Sequence, residues 1–193
     1  MNITVLQGAA QSLRTDLLVV NLFEGVTEPA GATGAVDQAL NGQISALIQA
    51  GDIKGKTGEL TLLYGGEALP ATRVLIVGLG KPEEFDLERI WHAAGAAARK
   101  VRELRVTRFA TIVHGAGAGA IEPAQAAQAL VEGTLLALYD FRGQKTDTED
   151  LPVAVEEMAI IEFDAGKLDA LRAGARAGQI IAESTCIARD LVN

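Results

Sequence analysis

The sequence predicts a three-layer α/β domain, a mixed sheet flanked by helices, from three observations. Short apolar runs rich in β-branched residues alternate with longer segments of helical period, the pattern of successive βα units. Hydrophobic residues make up 49% of the 193 residues and charged residues 22%, enough apolar surface for one well-packed core. The run Val74 to Val77 is apolar at every position, which suits a strand covered on both faces. Gly78 and Gly80 break that run before a helix opens at Asp86. The run is therefore expected to be the central strand and the first half of a βαβ unit.

Ile3 to Leu6 reads as a first strand, with Gly8 soon after, and Asp16 to Phe23 as a second, largely buried one. Glu24 to Thr33 holds Gly25, Pro29 and Gly31 and is a loop. Thr33 is placed to cap a helix with Val36, Ala39, Leu40, Leu47 and Ile48 on one side, and Asn41-Gly42 can split it in two. The glycine-punctuated loop Gly51 to Gly58 leads to a strand over Glu59 to Tyr64. From Asp86, one helical face carries Leu87, Ile90, Trp91, Ala94, Ala97, Ala98, Val101 and Leu104. Gly95 weakens this helix by about 1 kcal/mol relative to alanine, and close approach to the sheet is the expected compensation.

Thr107 to Val113 reads as the next strand. Pro123 suits the first turn of a helix that carries Ala127, Leu130, Val131, Thr134, Leu135 and Leu138 on one face. Arg142 to Pro152 is a polar loop, and Val155 to Phe163 a strand. Asp164 can cap a final amphipathic helix through Leu168, Leu171, Ala175, Ala182 and Thr185 that still runs at Leu191-Val192.

The formal net charge of −8 disfavours nonspecific attraction to nucleic acid or an anionic membrane. A single cysteine, Cys186, rules out an intramolecular disulfide and fits a reducing compartment. No secretory signal is visible and no apolar run reaches the length of a spanning helix, so a soluble cytoplasmic protein is expected.

Two glycine turns are candidate anion sites. Gly78-Leu79-Gly80-Lys81-Pro82 follows a strand and precedes a helix. Glu83 stands where a dinucleotide fingerprint needs its third glycine, so a structural turn is favoured. His114 to Gly119 offers three alternate glycines, Gly115, Gly117 and Gly119, which permit close backbone approach to a ligand. Glu122 opposes an anion there, and a structural loop is again favoured. His92, His114 and Cys186 lack paired metal-ligand spacing, and the acidic run Asp147, Glu149 and Asp150 lacks the pattern of a calcium site. Ser12, Ser45 and Ser184 lack a nucleophile elbow, and Cys186 reads as a packing residue. The basic cluster Arg99, Lys100, Arg102, Arg105 and Arg108 reads as a solvated face diluted by Glu103. The residues taken alone describe an α/β domain without a self-contained active site.

The segment Val74 to Ile90, followed by Ala93 to Arg99, resembles the N-terminal domain of the cytosol-type leucyl aminopeptidases. Glu132 to Phe141 with Lys145, and the loop Gly51 to Glu59, are similar to the same family, and Ala188 to Asn193 resembles its linker helix. The resemblance implies a macro-domain-like fold for residues 1–165, with residues 166–193 starting a linker helix to a C-terminal catalytic domain. It implies a metallo-exopeptidase that removes N-terminal residues from peptides. Two divalent ions (manganese, zinc or magnesium) would sit in that catalytic domain, with no cofactor and no catalytic residue in the present chain. It further implies a homo-hexamer, and a role for these residues in assembly and in shaping access. Two rival readings stay open. One is a macro-type module for ADP-ribose or another nucleotide; the other is a nucleic-acid contact through Arg99 to Arg108, against which the net charge counts.

Overall fold

The computed structural model describes residues 1–115, 121–141 and 153–192. Its sheet has the strand order β1-β6-β5-β2-β4-β3, with β1 (Asn2–Gln7), β2 (Leu17–Phe23), β3 (Leu60–Tyr64), β4 (Arg73–Gly80), β5 (Arg108–Ile112) and β6 (Glu157–Glu162). Neighbouring strands are parallel except β3 and β4, an antiparallel pair. The sheet is thus mixed and mainly parallel, in keeping with the alternation of strands and helices.

Side chains alternate between faces along a strand. Leu18, Val20, Val74 and Ile76 pack with Val36 of α1 (Gly31–Ala39), with Leu40 just after it and with Ile44 of α2 (Gln43–Ala50). Leu17, Val19, Leu75 and Val77 pack on the opposite face with α3 (Leu87–Glu103), α4 (Pro123–Ala137) and α5 (Leu168–Val192). Two covered faces explain why residues 17–20 and 74–77 are apolar without alternation.

That burial does not make β4 the central strand. It is fifth of six, and β5 and β2 hold the middle. A continuous apolar run reports helices on both sides, not the number of strands beyond it. The hairpin partner β3 supplies the single neighbour that separates β4 from the sheet edge.

The helix starts also differ in one place from expectation. Asp86 caps α3, its carboxylate accepting the Arg89 N–H at 2.9 Å. Thr33, by contrast, lies inside α1, whose N-cap position is Ala30. Its buried hydroxyl donates to the Asn21 carbonyl at 2.7 Å and so ties α1 to β2. Asn41-Gly42 does separate two helices, and both residues take left-handed backbone (φ 56° and 81°). Gly42 has no side chain to cap α2. Asp37 substitutes from the preceding helix, accepting from the backbone N–H of Ile44 at 2.7 Å and of Ser45 at 3.1 Å, and from the Ser45 hydroxyl.

The layer α3–α4–α5 is built on close backbone approach. A Cβ at Gly95 would stand 3.3 Å from Ala137 Cβ and from the Gly133 carbonyl oxygen. Its compensation is therefore proximity to α4, not to the sheet. Gly174 and Gly178 of α5 lie in the same way against Ala124 and Gln128 of α4.

Candidate functional site

The turn after β4 is occupied by the protein itself. Strand pairing continues through Gly78 and Gly80. Gly78 donates to the Glu59 carbonyl at 2.8 Å and accepts from the Gly58 N–H at 3.0 Å; Gly80 donates to the Gly55 carbonyl at 2.9 Å and accepts from the Glu24 N–H at 2.9 Å. A Cβ at Gly78 would stand within 3 Å of the backbone at Gly55 and Lys56, so the loop before β3 fills the space a phosphate would need. Glu84 bonds Arg89 at 3.1 Å, and Arg89 donates to the Thr57 hydroxyl at 2.9 Å, closing the turn over that loop.

The second glycine turn begins at His114 and Gly115; Gly117, Gly119 and the remainder to residue 120 lie outside the described residues. Gly115 has φ 71°, and its Cα faces the ring of Phe85, which itself meets Phe23 edge to face. His114 is 1% exposed. Its Nδ1 accepts from the Asn21 amide at a long 3.4 Å, and its Nε2 has no partner among the described residues. Burial pulls its pKa down to about 4, so the ring is neutral at physiological pH.

A cleft of about 450 Å³ opens at the carboxyl ends of β1, β6, β5 and β2. After β2 the chain turns to α1 on one face; after β5 it leads to α4 on the other. The two strands are neighbours, so the cleft sits at a reversal of chain direction, the usual ligand position of an open α/β sheet. Small residues, Gly8, Ala9, Ala10, Gly31 and Ala32, leave it open. Asn21, Gln11, Glu162 and Lys167 supply polarity, and the exposed ring of Phe163 stands at its wall. Its one hydroxyl, from Thr33, is already committed to Asn21. This lining suits recognition of a small molecule and offers no activated nucleophile. Sequence reasoning did not single out these residues. The available signal was Asn21, a polar residue near the end of the buried run Asp16 to Phe23.

The other sequence candidates are dispersed. His92 lies on the exposed face of α3 beside Glu88 at 3.4 Å. Cys186 is partly buried on α5, and burial pushes its thiol pKa up. Within the basic cluster, Lys100 pairs with Glu103 at 2.7 Å and Arg102 donates to the Leu138 carbonyl at 3.4 Å. The acidic run Asp147, Glu149 and Asp150 lies outside the described residues. Among the described residues, no group of three or more His, Cys, Asp or Glu side chains could hold a metal ion. No described helix is long and apolar enough to cross a membrane.

The fold is that of a macrodomain-like α/β domain. A Trypanosoma brucei macrodomain in complex with ADP superimposes with a TM-score of 0.67 at 14% identity, over 90% of this chain and 68% of that one. Residues 19–148 match the N-terminal domain of the cytosol aminopeptidase family, and the chain belongs to that family. A probable cytosol aminopeptidase of Roseiflexus castenholzii is 35% identical over all of this chain and 37% of its own length. A tomato leucine aminopeptidase shares the fold with a TM-score of 0.75 at 19% identity, covering all of this chain and 38% of that one. The chain spans 37–39% of the length of the first curated relatives it matches.

Proposed function

We propose that this chain is the non-catalytic N-terminal domain of a cytoplasmic metalloaminopeptidase that removes N-terminal residues, leucine among them, from peptides. Its work is to support assembly into a homo-hexamer and to shape access to a C-terminal catalytic domain, with α5 as the linker between the two. The observation that carries this reading is the family match combined with the chain's 37–39% share of its relatives. The two divalent ions, manganese, zinc or magnesium, are expected in the catalytic domain, where they would activate the attacking water. The expected partners are that domain and further copies of the whole polypeptide, with neither membrane nor nucleic acid. Incubation of the 193-residue chain with a leucyl anilide and excess Mn²⁺ or Zn²⁺ is expected to release no leucine, whereas the longer polypeptide releases it. Release by the chain alone would overturn the assignment.

The cleft favours a second reading, a nucleotide or ADP-ribose module, with Gly115, Gly117 and Gly119 as the proposed loop beside the ligand. Calorimetric titration with ADP-ribose separates the two. Micromolar binding abolished by Ala32→Glu, which places charge and bulk in the cleft, would support the module; absence of heat removes it.

A further inference from the structure

Two charged residues line the cleft, Glu162 and Lys167, and both stand on one short turn. Glu162 is the last residue of β6, and Lys167 comes directly before α5. Both are half-buried. One carboxylate oxygen of Glu162, Oε1, accepts from the Asp164 N–H at 2.8 Å, and the Asp164 carboxylate accepts from the Gly166 N–H at 2.9 Å. Leu168, the residue after Lys167, is buried and anchors the far end of the turn. The turn is therefore held by its own backbone and by the core.

The charges themselves are not used in holding it. Among the described residues, neither Glu162 Oε2 nor the Lys167 ammonium has a hydrogen-bond or ion-pair partner, and the two do not pair with each other. The rest of the lining near them is apolar. Val113 and Ile161 are almost wholly buried, while the ring of Phe163 is 78% exposed and has most of its apolar surface still to bury. The cleft thus offers one anion, one cation and an uncovered aromatic ring. A diphosphate would meet a single lysine and an opposing carboxylate. A small zwitterion with an apolar side chain meets each group with the favourable sign, through charge-assisted hydrogen bonds.

We propose that the cleft binds a free α-amino acid with an apolar side chain. This rests on the aminopeptidase reading above, because that reaction releases molecules of this class. Glu162 Oε2 accepts from the α-ammonium, Lys167 donates to the α-carboxylate, and the side chain lies against Phe163 and Ile161. The volume of about 450 Å³ falls within the range of small-molecule sites, about 300–1,000 Å³, and accommodates leucine.

Calorimetric titration of the 193-residue chain with leucine tests the proposal. Saturable binding is expected, weakened by about tenfold or more in N-acetyl-leucine, which lacks the ammonium, and in leucinamide, which lacks the carboxylate. Glu162→Gln is expected to weaken leucine by about tenfold and to leave N-acetyl-leucine unchanged; Lys167→Gln is expected to weaken leucine equally and to leave leucinamide unchanged. Glutamine keeps an acceptor for the Asp164 N–H, and circular dichroism melts verify that both variants fold. Absence of saturable heat up to about 10 mM leucine overturns the proposal. So does leucine binding that both variants leave intact, or ADP-ribose binding that leucine fails to displace and Ala32→Glu abolishes. Leucyl anilide hydrolysis by the longer polypeptide, measured in parallel, reports on the enzyme class separately: leucine binding without hydrolysis keeps the site and removes the activity.

Discussion

Substitution of Gly174 by alanine in α5 opposes two known quantities. Alanine is the better helix former, by about 1 kcal/mol in a helix interior. The new Cβ, however, would lie 2.7 Å from the Ala124 carbonyl carbon and 2.8 Å from the Ala124 Cα. Overpacking costs about 1–3 kcal/mol. The upper end applies because the obstacle is the backbone of α4, not the tip of a side chain that can swing aside. Net destabilisation of about 2 kcal/mol follows, which for a domain of this size lowers Tm by roughly 4–8 °C. Gly95→Ala is the internal control: its Cβ would meet neighbours at 3.3 Å, so propensity and crowding nearly cancel. Thermal melting followed by circular dichroism measures both. A Gly174→Ala protein that melts at or above the parent temperature would refute the claim that the α4–α5 contact is set by backbone approach.

Asp37→Ala removes the acceptor of two backbone N–H groups and one hydroxyl at the start of α2, and is expected to cost about 1–3 kcal/mol in urea unfolding; an unchanged midpoint would show that water caps α2 as well. His114 gives a pH dependence. Its pKa is about 4 folded against 6.5 unfolded, so below pH 6.5 the unfolded chain takes up a proton that the folded chain refuses. Its contribution is complete above pH 6.5 and is lost as pH falls towards 4, about 3 kcal/mol in all. His114→Gln should flatten urea stability across that window, and a parallel pH profile in the variant would contradict it.

The sheet, its flanking helices and most element positions were legible because burial on two faces leaves a direct mark: unbroken apolar runs for strands, helical period for helices. The start of α3 at Asp86 was legible because the period turns helical there, although the capping carboxylate itself was not singled out. The Asp37 cap was not legible. It reaches α2 from a different helix, across a glycine-containing turn whose geometry no spacing rule encodes. Thr33 misled for the related reason that a hydroxyl near a helix start has two possible acceptors or donors nearby, and the Asn21 carbonyl of β2 was the one within reach. Strand order was equally hidden, since β4 is as apolar fifth in the sheet as it would be in the middle. The cleft was illegible because it is assembled from the ends of four strands, each contributing a small or unremarkable residue.

The glycines of β4 show why the chemistry of such a chain resists reading. A backbone that cradles a phosphate and a backbone that lies against another strand of the same protein both require the absence of a Cβ, and both follow an apolar strand. What separates the two is the fate of the N–H groups. At Gly78 and Gly80 each donates to a carbonyl of the loop that precedes β3, leaving no donor for an anion. At α1 the chain starts an ordinary helix, with Gly34 N–H bonded to the Ala30 carbonyl and no acidic residue in the first turn. The glycine motif that most resembles a binding turn is thus consumed in holding the sheet together.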